Sequence, residues 1–217
     1  MPNYPHYLQR LQDATRKYWD KPALNTIGGD SFTYSQMATD IARFHIVFEK
    51  AGFKKGDKIA LCANNGARWG FAYLAVNTYE TVIVPILADF KPESVMGLVN
   101  HSESIALFTN AARWAKLDAE KMPQLKVVFD VDNWGVLLCR DPKIQEAVDN
   151  LDKLFAQKYP KGFGPEDVVF PTDNWDDLST INYTSGSTGD PKGVMLTYRN
   201  FSANVDYSQR NVPAGDK

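Results

Sequence analysis

Lys58-Ile-Ala-Leu-Cys-Ala63, followed by residues 67–78 and then Thr81-Val-Ile-Val-Pro-Ile86, is the stretch on which the fold turns. Two short β-rich runs enclose a segment of helical length, a strand–helix–strand unit. Val82-Ile-Val84 is continuously apolar rather than alternating, the pattern of a strand covered by helices on both faces of its sheet. Downstream, Pro92-Glu93 opens a further helix, since proline suits the first helical position. Ser104-Ile-Ala-Leu-Phe-Thr109 and Lys126-Val-Val-Phe-Asp-Val131 repeat the strand signal, and residues 177–183 supply a fifth strand. Helices are expected near 111–119 and over 143–158. This alternation predicts an α/β fold, a doubly wound, mostly parallel sheet flanked by helices with right-handed crossovers.

Upstream, Gly28-Gly29-Asp30 lies between two short extended runs, 24–27 and 31–34, which is a hairpin signal. Thr33 with Gln36 three residues later reads as a capping box. Met37, Ile41, Phe44 and Phe48 then recur at helical spacing as a core stripe, ending at Gly52. His45 on this helix is expected to be a surface or hydrogen-bonded core histidine rather than a catalytic one. Residues 159–177 show no periodicity and read as a long loop of the kind that is functional or mobile. The expected organisation is therefore a hairpin and helix region over 1–57, a sheet subdomain over 58–158, a loop over 159–177, and over 178–217 a strand, a second loop and the start of a helix.

Bulk properties narrow the function. The 217 residues are 44% hydrophobic and 23% charged, a globular composition. A net charge of −2 gives no reason to expect a nucleic acid or an anionic membrane as partner, so any anion site must be local. Cys62 and Cys139 have no metal-like spacing and are expected to be plain thiols. The N-terminus lacks signal-peptide character, and no apolar window is long enough to span a bilayer, which points to the cytoplasm. A peripheral membrane association stays open.

Such a local site is visible at Tyr183-Thr-Ser-Gly-Ser-Thr-Gly-Asp-Pro-Lys-Gly-Val194. Glycines let backbone N–H groups approach phosphate oxygens, hydroxyls add donors, and Lys192 supplies a cation on a backbone stiffened by Pro191. A flexible linker has no use for the ordered Asp-Pro-Lys-Gly end. The order also excludes a Walker A loop, which needs Gly-Lys-Ser/Thr after a glycine and four residues, whereas Lys192 precedes Gly193.

The stretch resembles the phosphate-binding motif of the adenylate-forming superfamily, which includes acyl-CoA synthetases, peptide-synthetase adenylation domains and luciferase. That motif reads Thr/Ser-Ser-Gly-Ser/Thr-Thr-Gly-x-Pro-Lys-Gly, and all nine specified positions match from Thr184 to Gly193. Asp20-Lys-Pro-Ala-Leu24, Phe32-Thr-Tyr34, Gly52-Phe-Lys-Lys-Gly-Asp57 and Val84-Pro-Ile86 resemble the family's N-terminal landmarks in order. The flanks of the loop are most similar to the long-chain fatty-acid–CoA ligase branch. Tyr198 departs from the pattern, because many relatives carry histidine there, at a position close to the bound substrates.

The resemblance implies the first part of the large N-terminal domain of an adenylate-forming enzyme. It implies attack of a carboxylate on Mg-ATP to give acyl-adenylate, then transfer of the acyl group to coenzyme A. Thr184, Ser185, Gly186, Ser187, Thr188, Gly189, Lys192 and Gly193 would bind the ATP phosphates, and Thr184 would help order Mg2+. The adenine loop, the Mg2+-binding glutamate, the ribose-binding aspartate and the C-terminal domain with the catalytic lysine are expected downstream of Lys217. The chain is therefore expected to be an N-terminal piece without catalytic residues, inactive alone and prone to self-association. Rival readings are a ligase for aryl or short-chain acids, an adenylation domain serving a carrier protein, a non-catalytic nucleotide-binding module, and a scaffold that binds no nucleotide.

Overall fold

Strand β3 (Lys58–Cys62) lies in the middle of a seven-stranded sheet. The computed structural model describes residues 3–184 and 192–211. Ahead of β3 come α1 (Tyr7–Lys17), the hairpin of β1 (Pro22–Asn25) and β2 (Ser31–Thr33), and α2 (Tyr34–Lys50). After it run α3 (Ala67–Thr78), β4 (Val82–Pro85), α4 (Pro92–His101), β5 (Ala106–Thr109), α5 (Ala111–Trp114), β6 (Val127–Asp130) and β7 (Val136–Cys139). The chain closes with α6 (Pro142–Asp149), α7 (Leu151–Lys158), β8 (Leu178–Thr184), β9 (Lys192–Thr197) and α8 (Tyr198–Asn211). The sheet order is β7-β6-β5-β3-β4-β8-β9; the five inner strands are parallel, and β7 and β9 are antiparallel edges. The doubly wound α/β architecture is thus present.

Both faces of the parallel core are covered, which explains the unbroken apolar runs. Ile59, Leu61, Ile83, Phe108 and Phe129 face Phe44 and Phe48 of α2 and Phe71 of α3. Ala60, Cys62, Val84, Leu107 and Val128 face Val95 and Val99 of α4 together with Met122 and Leu125. Phe44 packs edge-on against both Phe108 and Phe129, with ring centroids 5.1 and 5.6 Å apart. The Thr33–Gln36 capping box is formed, and Met37, Ile41, Phe44 and Phe48 are buried in the core.

The differences from the sequence reading have local causes. The helix expected near 111–119 is a single turn, α5, followed by a 3-10 turn at Ala119–Lys121. Residues 143–158 form two helices that meet at Asn150, whose amide donates back to Glu146 O and ends α6. Strand β7 follows a turn in which the Asp130 carboxylate accepts from the backbone of Asp132 and the amide of Asn133. Its four-residue run is too short for periodicity to mark it as a strand. Residues 159–177 are pinned rather than loose: Val168 and Phe170 are buried, and the Arg16 guanidinium donates twice to Val168 O, at 3.0 and 2.7 Å. Phe170 N also donates to Gln12, so this segment is a strap over α1.

Candidate functional site

The hydroxyl-rich stretch begins where β8 reaches the C-terminal edge of the parallel sheet. In doubly wound sheets this edge is where loops diverge to opposite faces and leave a crevice for ligands. Strands β8 and β9 pair antiparallel, with Tyr183 opposite Gly193 and Thr184 opposite Lys192. Thr184 and Lys192 are both exposed and pair at the end of this hairpin from which the connecting segment leaves. Gly193 is held close: a Cβ there would lie 2.9 Å from Ile181 Cγ2 and 3.4 Å from the Tyr183 ring. Ser185, Gly186, Ser187, Thr188 and Gly189 lie outside the described residues.

Beside the hairpin mouth is a cavity of about 410 Å³, lined by the ends of β3, β4 and β8, including Asn64, Asn65, Trp69, Leu87, Asn182 and Tyr183. A second cavity of about 390 Å³ shares Asn64, Asn65 and Trp69 and opens toward Asp30, Arg68 and Asp132. The exit of β3 is a site feature that strand periodicity does not mark. The signal was Asn64-Asn65-Gly66 directly after the strand, an amide-rich turn at the edge where ligands bind.

A buried polar network fixes β8 from below. Asn77 of α3 is fully buried; its Oδ1 accepts from Tyr7 Oη at 2.6 Å and Ser179 Oγ at 2.9 Å, and its Nδ2 donates to Ser179 O at 3.0 Å. Tyr73 Oη shares a 2.8 Å hydrogen bond with Thr180 Oγ1, and burial pushes its phenol up to about 12. On the other side, Lys55 bridges Glu80 at 2.9 Å and Asp177 at 2.7 Å, tying the turn before β3 to the start of β8.

Tyr198 belongs to this network. It is fully buried, donates to Asn77 O at 2.7 Å, and its ring stacks on those of His6 and Tyr7. Its hydroxyl is thus used within the fold. His45 is likewise internal: its Nε2 lies 3.1 Å from Ala75 O and 3.0 Å from Thr78 Oγ1, and burial pushes the imidazole down to about 4. Cys62 is buried and Cys139 partly buried, both as free thiols.

The fold is thus a doubly wound α/β domain, and the hydroxyl-, glycine- and lysine-bearing motif of the sequence starts at the C-terminal edge of its sheet. Residues 11–216 match the model of the AMP-binding enzyme family, and the chain belongs to that family. It is 28% identical to a chloroplastic long-chain-fatty-acid–[acyl-carrier-protein] ligase of Arabidopsis thaliana, over 95% of this chain and 30% of that protein. It is 31% identical to the peroxisomal long chain acyl-CoA synthetase 6 of the same plant, over 74% of this chain and 23% of that protein. The fold is shared with an anthranilate CoA ligase solved with anthranoyl-AMP, at TM-score 0.74 and 17% identity over 98% of this chain and 37% of that one. The chain thus spans under a third of the length of these two curated relatives. Their compartments, chloroplast and peroxisome, give no support to a cytoplasmic setting. Among the described residues, no helix is long and apolar enough to cross a membrane.

Proposed function

We propose that this chain supplies the phosphate grip of an acid–thiol ligase, which activates a long-chain fatty acid with ATP and passes the acyl group to a thiol. The carrying observation is the placement of Thr184 opposite Lys192 at the exposed mouth of the β8–β9 hairpin, beside the cavity at the ends of three parallel strands. In the first step a carboxylate oxygen bonds to the α-phosphorus of ATP and the bond to pyrophosphate breaks. The carboxylate is already nucleophilic, so the protein must align the groups and neutralise charge rather than provide a strong base. Thr184 and Lys192, with Ser185, Gly186, Ser187, Thr188, Gly189 and Gly193, would hold the β- and γ-phosphates and then the departing pyrophosphate.

The donor set suits magnesium only if the ion arrives on the phosphates. Among the described residues, no three His, Cys, Asp or Glu side chains converge on one point, whereas Thr184 offers one hard oxygen. When bound, the ion would neutralise the phosphate charge. Thr184 would orient its shell.

The long-chain reading is favoured by the fatty-acid ligases among the relatives. The acceptor is coenzyme A or the thiol of a carrier protein, the pairing named in the first of these relatives. The test is carboxylate-dependent exchange of label between pyrophosphate and ATP by the native gene product, run with long-chain, short-chain and aryl acids. Exchange that is fastest with long-chain acids is expected. A preference for aryl or short-chain acids would contradict the substrate class, and exchange with none of them would contradict adenylation.

A further inference from the structure

Strand β8 extends four residues beyond its register pair with β4, Ile83 opposite Thr180. Strand β4 ends at Pro85, which has no N–H to continue a ladder. The stretch from Ile181 to Thr184 is therefore laddered on one side by β9, itself an edge strand. A two-stranded extension of this kind twists and frays unless something else fixes it.

The fixing contact comes from α4, which covers the sheet face that Tyr183 shares with Ile181. Tyr183 Oη lies 2.7 Å from Nδ1 of His101, the last residue of α4, and the two rings meet edge to face with centroids 5.6 Å apart. The Tyr183 ring also lies against its cross-strand partner Gly193, where an added Cβ would stand 3.4 Å from Cε1 and 3.6 Å from Cζ. An aromatic ring laid over a cross-strand glycine is a known way of pinning register. The next pair outward is Thr184 and Lys192.

We propose that His101 and Tyr183 are positioning residues that clamp the mouth of the β8–β9 hairpin and so set the separation and aim of Thr184 and Lys192 toward a bound pyrophosphate. The clamp works in three layers: His101 holds the phenol, the phenol ring holds Gly193, and the Tyr183–Gly193 pair holds the pair beyond it. Tyr183 also forms part of the 410 Å³ cavity wall, so the same contact fixes one side of that cavity. The ligand part of this inference rests on the phosphate-grip reading above; the clamp itself does not.

The test uses the chain with Tyr183→Phe, His101→Leu and His101→Asn, the last placing an amide near the position of Nδ1. Two quantities are read: amide hydrogen exchange across 181–184 and 192–195, and affinity for inorganic pyrophosphate by calorimetry. One lost hydrogen bond should speed local exchange and weaken pyrophosphate binding by about five-fold each, with the global melting temperature unchanged. His101→Asn should restore both. Exchange identical in wild type and variants overturns the clamp whatever the chain binds. Faster exchange with unchanged pyrophosphate affinity overturns the positioning role. If the wild type binds no pyrophosphate while exchange still responds, the phosphate reading fails and the clamp stands.

Discussion

His45 shows how a residue type that suggests chemistry can serve the core. Its imidazole is partly buried against α3, hydrogen-bonded through Nε2, and pushed down to about 4 by desolvation, with Lys158 adding to the effect. The folded chain therefore refuses a proton that the unfolded chain accepts below about pH 6.5. Stability from this site is complete above that pH and is lost as pH falls toward 4, by about 3 kcal/mol in all. His6 acts in the same direction, its imidazole lowered first by burial. Urea titrations between pH 7 and 4.5 should show a falling midpoint, and His45→Gln should flatten much of that slope. An unchanged slope in the variant would contradict the assignment. A core place for His45 was one of the two readings legible from its position among Met37, Ile41, Phe44 and Phe48. That of Tyr198 was not, because its stacking on His6 and Tyr7 joins residues nearly the whole chain apart.

At the scale of elements, the parallel strands and their helices could be read because each carries its own period and its own boundaries. Helix α3 and the capping box of α2 are examples, both set by residues a few positions apart. Strand β7 and the strap over 159–177 could not be read in this way. The strap is held by Arg16 and Gln12 of α1, more than 150 positions earlier in the chain. Asn77 is the element-scale counterpart, joining α1, α3, β8 and α8 through Tyr7, Ser179 and Tyr198. Asn77→Leu keeps the branching and heavy-atom count of the side chain but leaves Tyr7 Oη and Ser179 Oγ without this acceptor in the interior. We expect a loss of about 2–4 kcal/mol in chemical unfolding, together with faster exchange in β8. A loss below about 1 kcal/mol would show that the network is not what seats β8 on α3.

Across the whole molecule, the sheet places Thr184 and Lys192 at one edge while both broad faces are given over to packing. The edge is recognisable in sequence because the motif from Thr184 to Gly193 is local and ordered. The cavities beside it were not recognisable, since they are assembled from the ends of three separate strands and their exits. The central claim is that the mouth of the β8–β9 hairpin grips a polyphosphate through Lys192 and its neighbours. Calorimetric titration of inorganic pyrophosphate and of Mg-ATP into the chain and into Lys192→Ala tests this most directly. The account predicts saturable binding by the wild type and a loss of about ten- to a hundred-fold in the variant, the worth of one charge-assisted hydrogen bond. Equal affinity in the two proteins, or no binding by the wild type, would contradict it.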